Sequence, residues 1–142
     1  NIDKLQYLID KINAWNLKKK IIWPIHPRTD ISKFTFNEQW KIIKPQSYFD
    51  FLSLLKFSTG VFTDSGGIQE ESTFLNIPCF TLRENTERPI TIDNGTNFLV
   101  TKKYFKSSDI WNYAKNKNKE PELWDGKASD RIFKFFNSCV KR

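Results

Sequence analysis

The chain has 142 residues, 39% of them apolar and 15% aromatic, and a net charge of +7. That is enough for one domain with its own core, and too apolar for a disordered tail. No apolar run approaches the roughly 20 residues of a membrane helix, and no signal peptide opens the chain, so a soluble cytoplasmic protein without a membrane partner is expected.

In chain order, Leu5, Leu8, Ile9, Ile12 and Trp15 recur at three and four residues and predict an amphipathic helix. Lys18-Lys19-Lys20 closes it, where cations suit the helix carboxyl end. Ile21-Ile22-Trp23 reads as a short buried strand stopped by Pro24 and Pro27, and Lys41 to Lys44 as a second one stopped by Pro45. Ser47 with Asp50 three residues on forms a capping box for a helix through Phe57, with Phe51, Leu52 and Leu55 on its buried face. Gly60 to Thr63 is the next strand, Ile68 to Leu75 a helix, and Ile77 to Leu82 a further strand. Asn94-Gly95 turns the chain into Phe98-Leu99-Val100, and two helices follow, around Asp109 to Lys115 and Ala128 to Phe136.

Strands alternating with helices imply right-handed crossovers and a parallel sheet. The expected fold is α/β, a Rossmann-like, doubly wound sheet with helices on both faces, spanning residues 1–142 as one domain. Cys79 and Cys139 are far apart and His26 is the only histidine. Metal-ligand spacing is therefore missing, and two buried free thiols in a reducing compartment are expected, with no metal and no cofactor. The lysines are spread along the chain and no nucleic-acid motif accompanies them, so solvated helix faces explain the charge better than a nucleic-acid partner does. No methionine occurs anywhere, position 1 included, which predicts a processed product or an excised piece of a longer chain.

Ligands of such folds bind beyond the carboxyl ends of the strands. There the run Val61-Phe62-Thr63-Asp64-Ser65-Gly66-Gly67 places two glycines, which let backbone approach an oxygen closely, and a helix whose unpaired N–H groups face it. Ser65 adds a hydroxyl donor. Asp, Ser and Gly are also common in plain strand-to-helix turns, but Glu71, about a turn into the helix, adds a carboxylate within reach of both ribose hydroxyls. Glu70 is its competitor, and the two point about 100° apart, so one of them faces the ligand. His26-Pro27-Arg28 and the group Arg83, Glu87 and Arg88 follow other strands, so three loops carry polar groups toward one edge.

Thr63 to Glu71, followed by Pro78 and by Leu82-Arg83-Glu84-Asn85-Thr86-Glu87-Arg88-Pro89, resembles the non-hydrolysing UDP-N-acetylglucosamine 2-epimerases. Pro24-Ile25-His26-Pro27-Arg28, Gly95-Thr96-Asn97 and Asp125 to Ile132 resemble further motifs of that family, in the family's order. The resemblance implies the carboxyl-terminal half of a glycosyltransferase-B-like two-domain enzyme, with Asn1 matching the end of a His-Arg-x-Glu-Asn motif. The amino-terminal domain, with the acid and base carboxylates, would then be absent, leaving no catalytic residue in this chain. The implied enzyme interconverts UDP-N-acetylglucosamine and UDP-N-acetylmannosamine for polysaccharide biosynthesis by eliminating UDP and adding it back. Ser65, Gly66 and Gly67 would hold the diphosphate and Glu71 the ribose, with Arg83 and Arg88 supporting the pocket. His26 matches a histidine that in some members contacts a second nucleotide sugar, although Pro27-Arg28-Thr29 departs from the usual form; Ile90-Thr91 departs as well. The implied partners are UDP or its sugar, the missing domain, and further copies in a homo-oligomer. A hydrolysing 2-epimerase releasing UDP and N-acetylmannosamine, and a UDP-sugar-dependent glycosyltransferase, are the alternatives.

Overall fold

The computed structural model describes residues 2–14, 18–100 and 121–140. Trp15 and the helix expected at 109–115 lie outside them. The chain forms two compact units, one ending at Phe57 and the next beginning at Ser58. Among the described residues all strand pairings are parallel, in one sheet of two strands and one of three. The expected α/β class is thus borne out, with its strands divided between two hydrogen-bonded sheets. No described helix is long and apolar enough to cross a membrane.

In the first unit α1 (Ile2–Ala14) buries Ile9 and Ile12, two of the positions its period marked. Strands β1 (Ile21–Pro24) and β2 (Trp40–Ile43) pair from Ile21↔Trp40 to Pro24↔Ile43. A 3₁₀ turn, Ile31–Lys33, lies between them and is capped by Asp30. Trp40 donates from its indole nitrogen to Asn13 Oδ1 at 2.6 Å, tying β2 to α1. Helix α2 (Tyr48–Lys56) opens as its sequence predicts. Ser47 Oγ accepts from the Asp50 N–H at 3.2 Å and donates to the Asp50 carboxylate at 2.6 Å. Leu55 is buried on this helix, and Phe51 and Leu52 are half-buried.

The second unit runs β3 (Val61–Thr63), α3 (Gly66–Phe74), β4 (Cys79–Thr81), α4 (Pro89–Asp93), β5 (Asn97–Leu99) and α5 (Ala128–Val140). Its strands lie in the order β3-β4-β5. The central strand is buried at every position, as a parallel strand covered on both faces must be. Phe62, Phe80 and Phe98 sit opposite one another in register. Their rings stack across the sheet at 5.1 and 6.1 Å, and full burial of a ring such as Phe80 stabilises by roughly 1.5–3 kcal/mol.

Helix α3 begins two residues earlier than expected and includes both glycines. It ends in a Schellman motif: Ile77 N–H donates to Ser72 O at 2.8 Å and Asn76 N–H to Thr73 O at 3.1 Å. Asn76 takes φ 57°, the left-handed conformation that motif requires and Asn tolerates. Of the two cysteines only Cys79 is buried, and desolvation pushes its thiol up to about 11. Cys139 is exposed, correcting the expectation of two buried thiols, because α5 buries none of its residues. Ile132, Phe133, Phe135, Phe136 and Val140 are all exposed along that helix.

Candidate functional site

Strand β3 ends at Thr63, whose hydroxyl accepts from the Ser65 N–H at 3.0 Å and sets the turn into α3. Ser65 holds the N-cap with extended backbone, yet its hydroxyl makes no capping hydrogen bond. The first amides of a helix have no intrahelical partner, and here they have none among the described residues, at the positive end of the helix dipole. Neither Gly66 nor Gly67 has positive φ. A Cβ on Gly66 would stand 3.9 Å from the Arg88 guanidinium carbon, and one on Gly67 3.9 Å from Ser65 Oγ, both ordinary contacts. The fold's own packing therefore does not demand these glycines. Glycine at both positions leaves the first turn of α3 without side chains, and the Arg88 guanidinium and the Ser65 hydroxyl are the neighbours a Cβ would touch.

Gly95 behaves oppositely. A Cβ there would fall 2.5 Å from Thr91 O and 2.6 Å from Thr73 Cγ2, so this glycine is required by the packing of α4 against α3.

Arg88 brings a cation to the open helix end. Its Nε lies 2.9 Å from Glu70 Oε1, and its Nη1 3.9 Å from Glu87 Oε2. The Nε–H is not aimed along the first contact, since Nε has no hydrogen-bond partner of acceptable geometry among the described residues. The pair is thus a charge contact, and with both side chains about two-fifths exposed it contributes little stability, about 0–1 kcal/mol. An anion at Gly66 would meet a guanidinium held only loosely by its carboxylate neighbours.

Glu70 and Glu71 differ as their 100° offset requires. Glu70 turns to Arg88. Glu71 is half-buried, and its carboxylate has no hydrogen bond or ion pair among the described residues. Arg83 is exposed in the loop after β4, likewise without a partner among those residues. The second unit thus brings Ser65, Gly66, Gly67 and Arg88 together at one helix end, with Glu71 a turn further along. His26 belongs to the first unit and is exposed after β1, its Nδ1 accepting from the Arg28 N–H at 3.2 Å. When neutral, this ring therefore carries its proton on Nε2.

The segment Asp125 to Ile132 serves the start of α5. Asp125 accepts from the Lys127 N–H at 3.0 Å and from Arg131 Nη1 at 2.9 Å on each oxygen, contacts that hold its carboxyl below the usual range. Arg131 Nη2 donates to Leu123 O at 2.8 Å, closing the loop. Behind the cradle lie polar residues that sequence reading missed: Gln69, Thr81, Thr91 and Asn97 are all fully buried. Nothing local in the sequence marks them: they are polar, and it is the β4–β5 register, which sets Asn97 opposite Cys79, that buries them together.

An α/β unit with an uncapped, glycine-opened helix after a strand, and a cation over it, has the form of an anion-binding nucleotide site. The family model for UDP-N-acetylglucosamine 2-epimerase matches residues 1–137, and the chain belongs to that family. A UDP-N-acetylglucosamine 2-epimerase of Methanococcus maripaludis is 43% identical over 132 residues, covering 79% of this chain and 36% of its own length. The structure of UDP-GlcNAc 2-epimerase from Methanocaldococcus jannaschii superposes with a TM-score of 0.78 at 34% identity. It matches 97% of this chain and 42% of that one. The complex of that enzyme with UDP-GlcNAc and UDP superposes with a TM-score of 0.74, covering 97% of this chain and 41% of that one. The chain thus spans well under half the length of these relatives.

Proposed function

We propose that the chain is the carboxyl-terminal, UDP-binding domain of an enzyme that interconverts UDP-N-acetylglucosamine and UDP-N-acetylmannosamine. The observation that carries this is the open start of α3 under Arg88 in a chain of this family. The solved complex of a relative with UDP-GlcNAc and UDP supports the choice of ligand.

In this reading the amides of Gly66 and Gly67 and the Ser65 hydroxyl hold the diphosphate, and Glu71 accepts from the ribose hydroxyls. Arg88 neutralises the diphosphate and Arg83 supports the pocket rim. The reaction removes the proton at C2 and expels UDP from C1, leaving a glycal-type intermediate. UDP then returns to C1 and a proton to the other face of C2. The cradle lowers the barrier by stabilising charge that develops on the departing diphosphate, as preorganised donors do. Proton transfer falls to carboxylates outside this chain. The exposed apolar face of α5 supports a further polypeptide surface completing the enzyme, the rest of the protein or another copy.

The test pairs calorimetry with an activity assay. UDP binds the 142-residue chain, while UDP-N-acetylglucosamine is not epimerised by it. The complete enzyme equilibrates both UDP-sugars without accumulating free sugar. Turnover by the chain alone would overturn the division of labour, and free N-acetylmannosamine from the complete enzyme would establish the hydrolysing reaction instead.

A further inference from the structure

Arg88 reaches Gly66 from a loop, where its guanidinium meets partly exposed carboxylates and donates from Nη1 to the neighbouring Glu87 carbonyl at 3.2 Å, contacts too weak to fix a loop side chain unaided. Its backbone is fixed from behind. The Arg88 N–H donates to Thr86 Oγ1 at 3.0 Å, and the Arg88 carbonyl accepts from Thr91 Oγ1 at 2.7 Å. Each hydroxyl is committed in turn to a buried amide. Thr86 Oγ1 donates to Gln69 Oε1 at 2.5 Å. Thr91 Oγ1 accepts from Asn97 Nδ2 at 3.0 Å, and the same nitrogen donates to Gln69 Oε1 at 3.1 Å. Asn97 Oδ1 accepts from Thr81 Oγ1 at 2.6 Å, which fixes the amide's orientation.

Every hydroxyl proton in this network has one assignment. Thr81 gives its proton to Asn97, Thr86 to Gln69 and Thr91 to Arg88 O, while both Asn97 amide protons are used. Buried networks satisfied in this way rigidify what they hold, whereas a half-satisfied one costs stability. Gln69 is 1% exposed and Asn97 is 0% exposed, so the bonds that Asn97 makes to Gln69, Thr81 and Thr91 are buried, while those linking Thr86 and Thr91 to the Arg88 backbone are part-buried. The network joins α3, which presents the open amides, to the loop that presents the guanidinium.

We infer that Thr86, Thr91, Gln69 and Asn97 are positioning residues that clamp the Arg88 backbone at both its N–H and its carbonyl, holding the guanidinium over the diphosphate end of α3. The inference rests on the proposed UDP site for its use, and on the hydrogen bonds above for its geometry.

Thr86→Val is nearly isosteric and removes the hydroxyl from a half-buried loop position, and Thr86→Ser restores it. In the ligand-free chain, the Arg88 Nε–H signal in NMR relaxation becomes more mobile in Thr86→Val and keeps its order in Thr86→Ser. UDP affinity falls roughly three- to tenfold in Thr86→Val, the reach of one or two ordinary hydrogen bonds. Thr86→Ser binds like the parent. In an Arg88→Met background the same Thr86→Val change costs nothing further, because the residue it positions is gone.

Unchanged Arg88 order in Thr86→Val, or an equal loss of UDP affinity with and without Arg88, would overturn the inference. Loss of Arg88 order in a chain whose parent binds no UDP would instead leave the clamp standing and defeat the proposed UDP site.

Discussion

Two helices follow short parallel strands here, and their first turns are built for different ends. Helix α2 closes itself: Ser47 and Asp50 satisfy each other and an opening amide within the chain. Helix α3 also begins after a serine, but Ser65 leaves its hydroxyl uncommitted to the cap, and two glycines leave the front of the helix bare. Both helices have a serine at the cap, so the difference lies in the first turn beyond it. Asp50, three residues after Ser47, both donates its N–H to the serine and accepts from the serine's hydroxyl, whereas Ile68, three residues after Ser65, offers no carboxylate and the Ser65 hydroxyl makes no capping bond. A helix start that the protein does not satisfy itself is available to a ligand.

Glycine substitution breaks this comparison most forcefully. Gly95→Ala destabilises by about 1–3 kcal/mol in thermal or denaturant unfolding, the usual cost of overpacking, because its Cβ meets a backbone carbonyl. Gly66→Ala leaves stability unchanged or raises it by up to about 1 kcal/mol, the helix-propensity gain. It nevertheless weakens UDP binding, since the methyl occupies the ligand's space. A destabilised Gly66→Ala chain would show that this glycine serves packing too.

The comparison also shows how far the sequence can be read. Ser47 and Asp50 are legible as a cap because the motif is local and its chemistry complete in four residues. The start of α3 reads two residues late because Gly66 and Gly67 carry no apolar periodicity. Helix α4 escapes the sequence because its five residues are too few to show a period, although Pro89 at its start suits a first helical position, where its missing N–H costs nothing. The clamp behind Arg88 is illegible for a different reason. Gln69, Thr81 and Asn97 are polar and read as surface, and only the register of β4 with β5 and the pitch of α3 bring them together in the interior. Likewise Arg88 is a candidate from its loop, but its station over Gly66 depends on hydrogen bonds spanning up to 28 residues.

The two adjacent carboxylates sharpen the contrast next. Glu71→Gln lowers UDP affinity about tenfold, consistent with losing a charged hydrogen bond of roughly 1.5–3 kcal/mol in part. Glu70→Gln changes it less, because Glu70 faces Arg88 across a partly exposed contact. With 2′,3′-dideoxy-UDP the difference between the two variants disappears. A larger effect at Glu70 would reassign the ribose contact.

Removing the two serine hydroxyls gives the smallest effects and the cleanest symmetry. Ser47→Ala costs about 1 kcal/mol of stability, the ordinary value of an N-cap, and does nothing to UDP binding. Ser65→Ala leaves stability within about 0.5 kcal/mol, as a change away from any cap or core contact should, and weakens UDP a few-fold. Equal stability losses at both serines would mean that Ser65 caps α3 after all.

The most direct measurement is an amide NMR titration of the chain with UDP, using uridine as the comparison ligand. The open helix start predicts that the Gly66 and Gly67 amides shift most with UDP and far less with uridine, while the amides of Phe49 and Asp50 at the start of α2 stay in place. Shifts centred on α2, or UDP and uridine acting alike at Gly66 and Gly67, would contradict a diphosphate cradle at α3.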